Sequence, residues 1–282
     1  MEEPFLRTIK THFNIVPFSS GYSESSIIAG ISTRYGGVSL DPYDTLNLGL
    51  HVNDDSECVV ENRHRLATDV GIPLERWVFA EQVHSSSIQK VTTDDCAKGS
   101  ESYETGIMGV DGLYTNESNV VLSAAFADCV PLFFSSKQHS IVGIAHAGWK
   151  GSVLQIAEKM VNLWVQNECI RVEDIEVVIG PSIQSCCYEV DDRVINEVNK
   201  VVNKGEPTPY TFNHDGSYQL NLQQLNKQIL IRNGISPENI RQSSHCTSCQ
   251  VDDYFSHRKE NGKTGRMLGF IVNCEQEGES AS

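Results

Sequence analysis

The chain has 282 residues, 39% of them hydrophobic and 21% charged, with a formal net charge of −15. These proportions suit a soluble globular protein with a sizeable core, and the acidic balance argues against general nucleic-acid binding, which needs basic surface to neutralise phosphates. No run approaches the ~18 apolar residues of a membrane span, and Met1-Glu2-Glu3-Pro4-Phe5 has neither the basic start nor the apolar stretch of a signal peptide.

In chain order, Arg34 comes first. It lies in Thr33-Arg34-Tyr35-Gly36-Gly37-Val38-Ser39, a glycine-rich loop after a strand-like run, where it can grip a phosphate or carboxylate or brace the loop. Residues 92–106 are polar and read as a loop. The apolar run 120–126 leads into Asp128-Cys129, the run 140–145 leads into His146, and the run 175–179 stops at Gly180-Pro181. Short apolar runs with such ends fit buried strands better than helices, which places Cys129 and His146 at or near strand ends. A helix is predicted from Ser152 to about Gln166 by the stripe Val153, Ile156, Ala157, Met160, Val161 and Trp164. A second carries Val194, Ile195, Val198, Val201 and Val202, with Asp191 or Asp192 as N-cap. A third carries Leu222, Leu225, Ile229 and Leu230, starting at Asn221 and stopping at Asn233-Gly234. Arg258 and Arg266 flank a hairpin-like turn at Asn261-Gly262-Lys263-Thr264-Gly265. Residues 275–282 are acidic and small and are expected to be a disordered tail. No composition shift marks a boundary, so residues 1–274 read as one domain, a mixed α/β or α+β sandwich.

Three metal-ligand types stand in small-residue or apolar segments: His84 in Glu81-Gln82-Val83-His84-Ser85, Cys129 in Ala127-Asp128-Cys129-Val130-Pro131, and His146 in Ala145-His146-Ala147-Gly148-Trp149-Lys150-Gly151. Alone, each is more often a surface or packing residue. Together, two imidazoles and one thiolate make a three-ligand zinc set with an open fourth position, the mark of a catalytic rather than a structural site. The turn after His146 joins a buried strand to a helix start, where free N–H groups and Lys150 can receive an anion, or where glycine serves turn geometry alone. No Gly-x-x-x-x-Gly-Lys-Ser/Thr pattern is present, which excludes a nucleotide P-loop.

Nine cysteines without a secretory signal point to reduced thiols in the cytoplasm. Cys246-Thr247-Ser248-Cys249 is a single C-x-x-C with no second one to complete a zinc ribbon, so its thiols read as unliganded. Adjacent Cys186 and Cys187 would face opposite ways on a strand and read as packing residues.

The ordered set of these segments, with Leu46-Asn47-Leu48-Gly49-Leu50-His51-Val52, Glu61-Asn62-Arg63, Val110-Asp111-Gly112, Gly180-Pro181-Ser182-Ile183, Cys187-Tyr188-Glu189-Val190 and Phe255-Ser256-His257-Arg258, resembles the laccase-domain family, also called YfiH-like or multicopper polyphenol oxidase. The resemblance runs from about Gly30 to Val272. It implies an α+β fold, a layered α/β/β/α sandwich with mixed sheets. It implies zinc held by His84, Cys129 and His146, phosphorolysis of adenosine, inosine, guanosine and methylthioadenosine, and deamination of adenosine. Purine nucleosides and phosphate are then the expected partners, with no nucleic acid and no membrane. Asp128, Asp111 and Glu81 are the candidate acid/base groups. Arg34, Asn47, Lys150 and Arg258 are the candidate substrate- and phosphate-binding groups. The chain departs from the family pattern at Asn53, where glycine is usual, and at His257, where tyrosine is usual.

Two other chemistries fit the same residues. Copper suits a His₂Cys set, but a multicopper oxidase needs His-x-His pairs, and none of the nine histidines forms one. A metal-free cysteine hydrolase or deamidase would use Cys129 as nucleophile and His146 as base. A non-enzymatic metal-binding module is the remaining reading.

Overall fold

The computed structural model describes residues 2–8, 12–18 and 25–275. Most of the expected tail therefore lies outside the described residues, and Glu275, its first residue, closes the last strand. Among these residues are five α-helices: α1 (Ser56–Val70), α2 (Trp149–Val153), α3 (Ile156–Asn167), α4 (Asp192–Val201) and α5 (Leu222–Arg232). None of them is long and apolar enough to cross a membrane.

Two six-stranded sheets carry the fold. Sheet one runs, in spatial order, Leu6–Arg7, Phe13–Ile15, Ser25–Ser32, Met267–Glu275, Val121–Phe126 and Trp77–Phe79. Sheet two runs Ile240–Gln242, Ile175–Ile179, Val130–Ser136, Val142–Ala147, Gly112–Thr115 and Ile88–Lys90. Both are mixed: Trp77–Phe79 pairs parallel to Val121–Phe126, and Ile240–Gln242 parallel to Ile175–Ile179, among antiparallel neighbours. A small third sheet joins Glu189–Val190, Tyr218–Leu220 and Tyr210–Phe212.

Three apolar layers glue these parts together. Leu66 and Ala67 of α1 pack with Trp77, Val121 and Phe270 on the outer face of sheet one. Phe126 and Ile271 of sheet one meet Phe133 and Ile144 of sheet two in the middle. Ile156, Met160 and Trp164 of α3, Val198 of α4 and Ile229 of α5 cover the outer face of sheet two. The result is the α/β/β/α sandwich that the resemblance implies.

The predicted strands form at 121–126, 142–147 and 175–179, so His146 lies within its strand rather than after it. The helix expected from Ser152 is broken in two. Gln155 takes the left-handed conformation at φ 60° and separates α2 from α3, whose buried stripe from Ile156 to Trp164 is the expected one. The Asp191 side chain caps α4 by accepting the Val194 N–H, and Asn221 caps α5 by accepting the Gln224 N–H.

Candidate metal centre

His84, Cys129 and His146 come together at one end of the cleft between the two sheets. Along Val142–Ala147, Val142 and Ile144 face sheet one whereas Ala145 and Ala147 face the helices. The two-residue alternation of a strand therefore turns His146 inward with Ile144, and its ring lies 5.6 Å from that of Phe126. Antiparallel pairing sets Val130 opposite Ala147 and Pro131 opposite His146. That register brings Cys129, one residue beyond, beside Gly148. A methyl group on Gly148 would sit 2.9 Å from Cys129 Sγ and 3.3 Å from His84 Cδ2, so the site requires the missing side chain.

His84 arrives on a loop that follows Trp77–Phe79. The Gln82 amide clamps this loop to the next strand: its Nε2 donates to the Ala125 carbonyl at 2.9 Å, and its Oε1 accepts the Ala125 N–H at 2.7 Å. His84 itself is left-handed at φ 59°, a conformation that non-glycine residues adopt mainly where surrounding contacts enforce it. The enforcing group is Asp111. Its carboxylate accepts the backbone N–H groups of Val83, His84 and Ser85 at 3.2, 3.1 and 2.6 Å. The same carboxylate bonds His146 Nδ1 at 2.8 Å.

One buried carboxylate thus orients two of the three ligands. With Nδ1 engaged by Asp111, His146 keeps Nε2 as its free ligand nitrogen. The ligand atoms of His84, Cys129 and His146 all lie within 4.8 Å of one another, and the two rings meet edge to face at 83°.

The electrostatics are those of a thiolate among imidazoles. Burial opposes ionisation of Cys129, but His146 and His84 outweigh it and bring the thiol down to about 6. Burial likewise opposes charge on His146, and the thiolate and Asp111 pull it up instead. Asp111 is buried, which favours its neutral form, yet hydrogen bonds from His146 and Ser85 hold it below the ordinary carboxylate range. In a metal-free chain these groups form a thiolate–imidazolium pair. With a divalent cation the same atoms are ligands that need no proton.

A cavity of about 410 Å³ opens over the three ligands, walled by His51, Asp128, Trp149, Tyr188, Arg258 and Arg266. That volume is in the range of a small-molecule site. Tyr188 lies under Arg258, whose guanidinium carbon is 5.2 Å from the ring centre. Burial, then the Cys129 charge, push the Tyr188 phenol well above its ordinary value and keep it protonated. Desolvation by the cavity wall, then Arg266 and Arg63, bring His51 down to about 4, so its ring is neutral. His257 is pushed down by burial and Arg266. A shallower groove continues outward past Trp149, Tyr188 and Arg258 towards Arg193 and Asp215.

Of the three candidate carboxylates, only Asp128 borders the cavity. It is left-handed at φ 86°, and it accepts the Thr247 hydroxyl and the Arg258 N–H at 2.7 Å each. Asp111 stands behind the ligands, and Glu81 accepts the Gly109 N–H beside them. Arg258 lines the wall as expected. Arg34 does not: it donates to the carbonyls of Asp44 and Val251 and to Glu260. Asn47 is fully buried, its Oδ1 accepting the N–H groups of Gly49 and Arg266 and its Nδ2 donating to Asp54. Lys150 is exposed at the start of the single-turn α2, its amine 5.8 Å from the Trp149 ring.

The sequence carried little notice of His51, Trp149 and Tyr188 as wall residues, because they reach the cavity from three separate places: a turn, the start of α2 and an irregular stretch before Glu189. Only the fold brings these three segments to one cavity.

The family model described as multi-copper polyphenol oxidoreductase laccase matches residues 28–274. Purine nucleoside phosphorylase YlmD of Geobacillus stearothermophilus is 47% identical over 249 residues, covering 88% of this chain and 91% of that protein. Purine nucleoside phosphorylase YlmD of Bacillus subtilis is 45% identical over 249 residues, covering 88% and 89%. The crystal structure of the Geobacillus protein superposes with a TM-score of 0.93 at 43% identity, covering 97% of this chain and all of that one.

Proposed function

This chain belongs to the multi-copper polyphenol oxidoreductase laccase family, and on that footing we propose that it is a zinc-dependent purine nucleoside phosphorylase that also deaminates adenosine. The observation that carries the reading is the Asp111-oriented His84, Cys129 and His146 set at the floor of a nucleoside-sized cavity. Similarity to the two proteins named purine nucleoside phosphorylase supports the substrate class. The proposed substrates are adenosine, inosine, guanosine and methylthioadenosine.

The donor set fits zinc, which accepts imidazole nitrogen and thiolate sulfur in a tetrahedral shell and leaves a fourth position for chemistry. When bound, zinc supplies Lewis-acid polarisation and a nucleophile drawn from water at neutral pH. A trinuclear copper centre has no home here. Apart from this set, the one other group of three or more closely placed metal-ligating side chains among the described residues is made of cysteines.

The chain's own residues divide the remaining work. Asp111 fixes the His146 ring and the His84 backbone. Trp149 and Tyr188 offer aromatic faces to a purine. Arg258 and Arg266 are the cavity's cations and would hold the phosphate that attacks C1′ of the ribose. Neutral His51 and His257 add no competing charge at the rim. Asp128, the carboxylate on the wall, would move the proton to the departing base or amine.

One observation favours a second reading. Cys129, His146 and Asp111 line up as nucleophile, base and orienting acid. Metal removal separates the two. Under the zinc reading, chelator-stripped protein loses phosphate-dependent cleavage of inosine and zinc restores it, while copper does not. Full activity in stripped protein, abolished by alkylation of Cys129, would replace the zinc reading with the cysteine one.

A further inference from the structure

Cys186, Cys187, Cys246 and Cys249 converge, although the sequence holds only one C-x-x-C. Their four Sγ atoms lie within 4.8 Å of one another, with Cys186 and Cys187 at 3.6 and 3.3 Å from Cys249. Cys186 and Cys187 sit in a turn at 185–187, not on a strand, so the alternation expected to send them opposite ways does not apply. The C-x-x-C of Cys246 and Cys249 forms a second turn that a single parallel bridge, Ser182 to Cys246, holds against the first. The adjacent pair thus supplies the half that a second C-x-x-C would have supplied.

We propose that these four cysteines form a second metal site, a tetrathiolate that takes zinc or a similar thiophilic divalent cation in a structural role. A zinc–sulfur bond of about 2.3 Å implies sulfurs roughly 3.8 Å apart in a tetrahedron, and here two of the pairs stand at 3.6 and 3.3 Å with no pair farther apart than 4.8 Å. The Gln184 N–H donates to Cys246 Sγ at 3.4 Å, and the Cys249 N–H also bonds that sulfur. Donors of this kind stabilise a ligating thiolate. Four protein ligands fill the shell and leave no position for substrate, which separates this site in kind from the one at His84.

Its place explains its use. The first turn leads directly from Ile183 to Tyr188, both on the wall of the cavity. The second holds Thr247, whose hydroxyl grips Asp128. Apart from the tie between Ser182 and the 245–247 backbone, little regular structure joins these turns, which lie 62 residues apart at Cys187 and Cys249. A metal bound across them would fix Tyr188 and Asp128 relative to each other without touching substrate.

Cobalt(II) tests the site separately from the His84 centre. The full-length Cys129→Ala chain, which lacks the thiolate of that centre, is stripped, reduced and titrated with cobalt without oxygen. The expected result is one equivalent of cobalt bound, with sulfur-to-cobalt charge transfer and the intense visible bands of tetrahedral all-sulfur coordination, both bleached by zinc. Adding Cys249→Ser, a change at an exposed position, should shift the visible bands to higher energy and weaken binding while far-ultraviolet circular dichroism stays unchanged. If the reduced and folded Cys129→Ala chain binds no cobalt through sulfur, the proposal is overturned. It is equally overturned if zinc-replete protein isolated under reductant holds these cysteines as disulfides.

Discussion

Three side chains and one carboxylate make the candidate centre, and each has a separate consequence. Cys129 supplies its only sulfur, so Cys129→Ala should lose the metal of this site and nucleoside cleavage together. Metal analysis beside an activity assay checks this, and full activity without that metal would count against the assignment. Gly148 tests the packing. A Cβ there meets Cys129 Sγ at 2.9 Å and must displace a ligand, so Gly148→Ala should weaken zinc binding about 10-fold or more, as disturbed ligand supports do, in a competition against a chelating dye. Protonation gives a third handle. In metal-free protein the His146 and His84 charges keep Cys129 ionised down to about pH 6. The thiolate is the reactive form, so alkylation should stay fast from neutral pH down and fall only as pH drops through about 6, whereas an ordinary thiol slows below about 8.5. Mass-spectrometric rates at Cys129 across pH decide this, and zinc should suppress them at neutral pH, where the thiolate is available to bind it.

Individual elements show why the sequence was partly legible. The strands leading to Asp128 and holding His146 are short apolar runs, almost wholly buried, and such runs read clearly. Helices α4 and α5 announce themselves by an apolar stripe behind an Asp or Asn cap. Helix α1 has equally good ends, an Asp55 cap and a left-handed Gly71, but its inward face is not all apolar. Asn62 and Arg63 occupy buried positions on it. Asn62 donates to Ser39 and to the carbonyls of Thr45 and Asn47, and Arg63 donates to the carbonyls of Leu48, Gly99 and Ser100. The polar residues that hide the helix from a hydrophobic pattern are those that tie it to two loops, the segment 33–55 before it and the segment around Gly99. Arg63→Ala leaves three carbonyls without this donor, and hydrogen bonds to charged groups contribute about 1.5–3 kcal/mol each. A loss of at least about 3 kcal/mol in chemical denaturation is expected. A loss below about 1 kcal/mol would show that water replaces the guanidinium.

At the scale of the whole molecule, the function depends on where two sheets meet. His84 comes from a loop of sheet one, Cys129 from the turn that passes from sheet one to sheet two, and His146 from within sheet two. No local segment holds more than one ligand, so the sequence can nominate the three but cannot bring them together. The layered packing does that. The same packing puts Arg258 and Arg266 on the cavity wall and leaves Arg34 and Asn47 bracing loops behind it. Glycine-rich and arginine-bearing motifs look alike in sequence whether they face a ligand or a backbone carbonyl. Under the proposed function this assembled cavity cleaves purine nucleosides with phosphate. The most direct measurement is product analysis of zinc-loaded protein given adenosine, with and without phosphate. Adenine and ribose 1-phosphate are expected only when phosphate is present, and inosine in either case. No product from fully zinc-loaded, folded protein would contradict the proposed function.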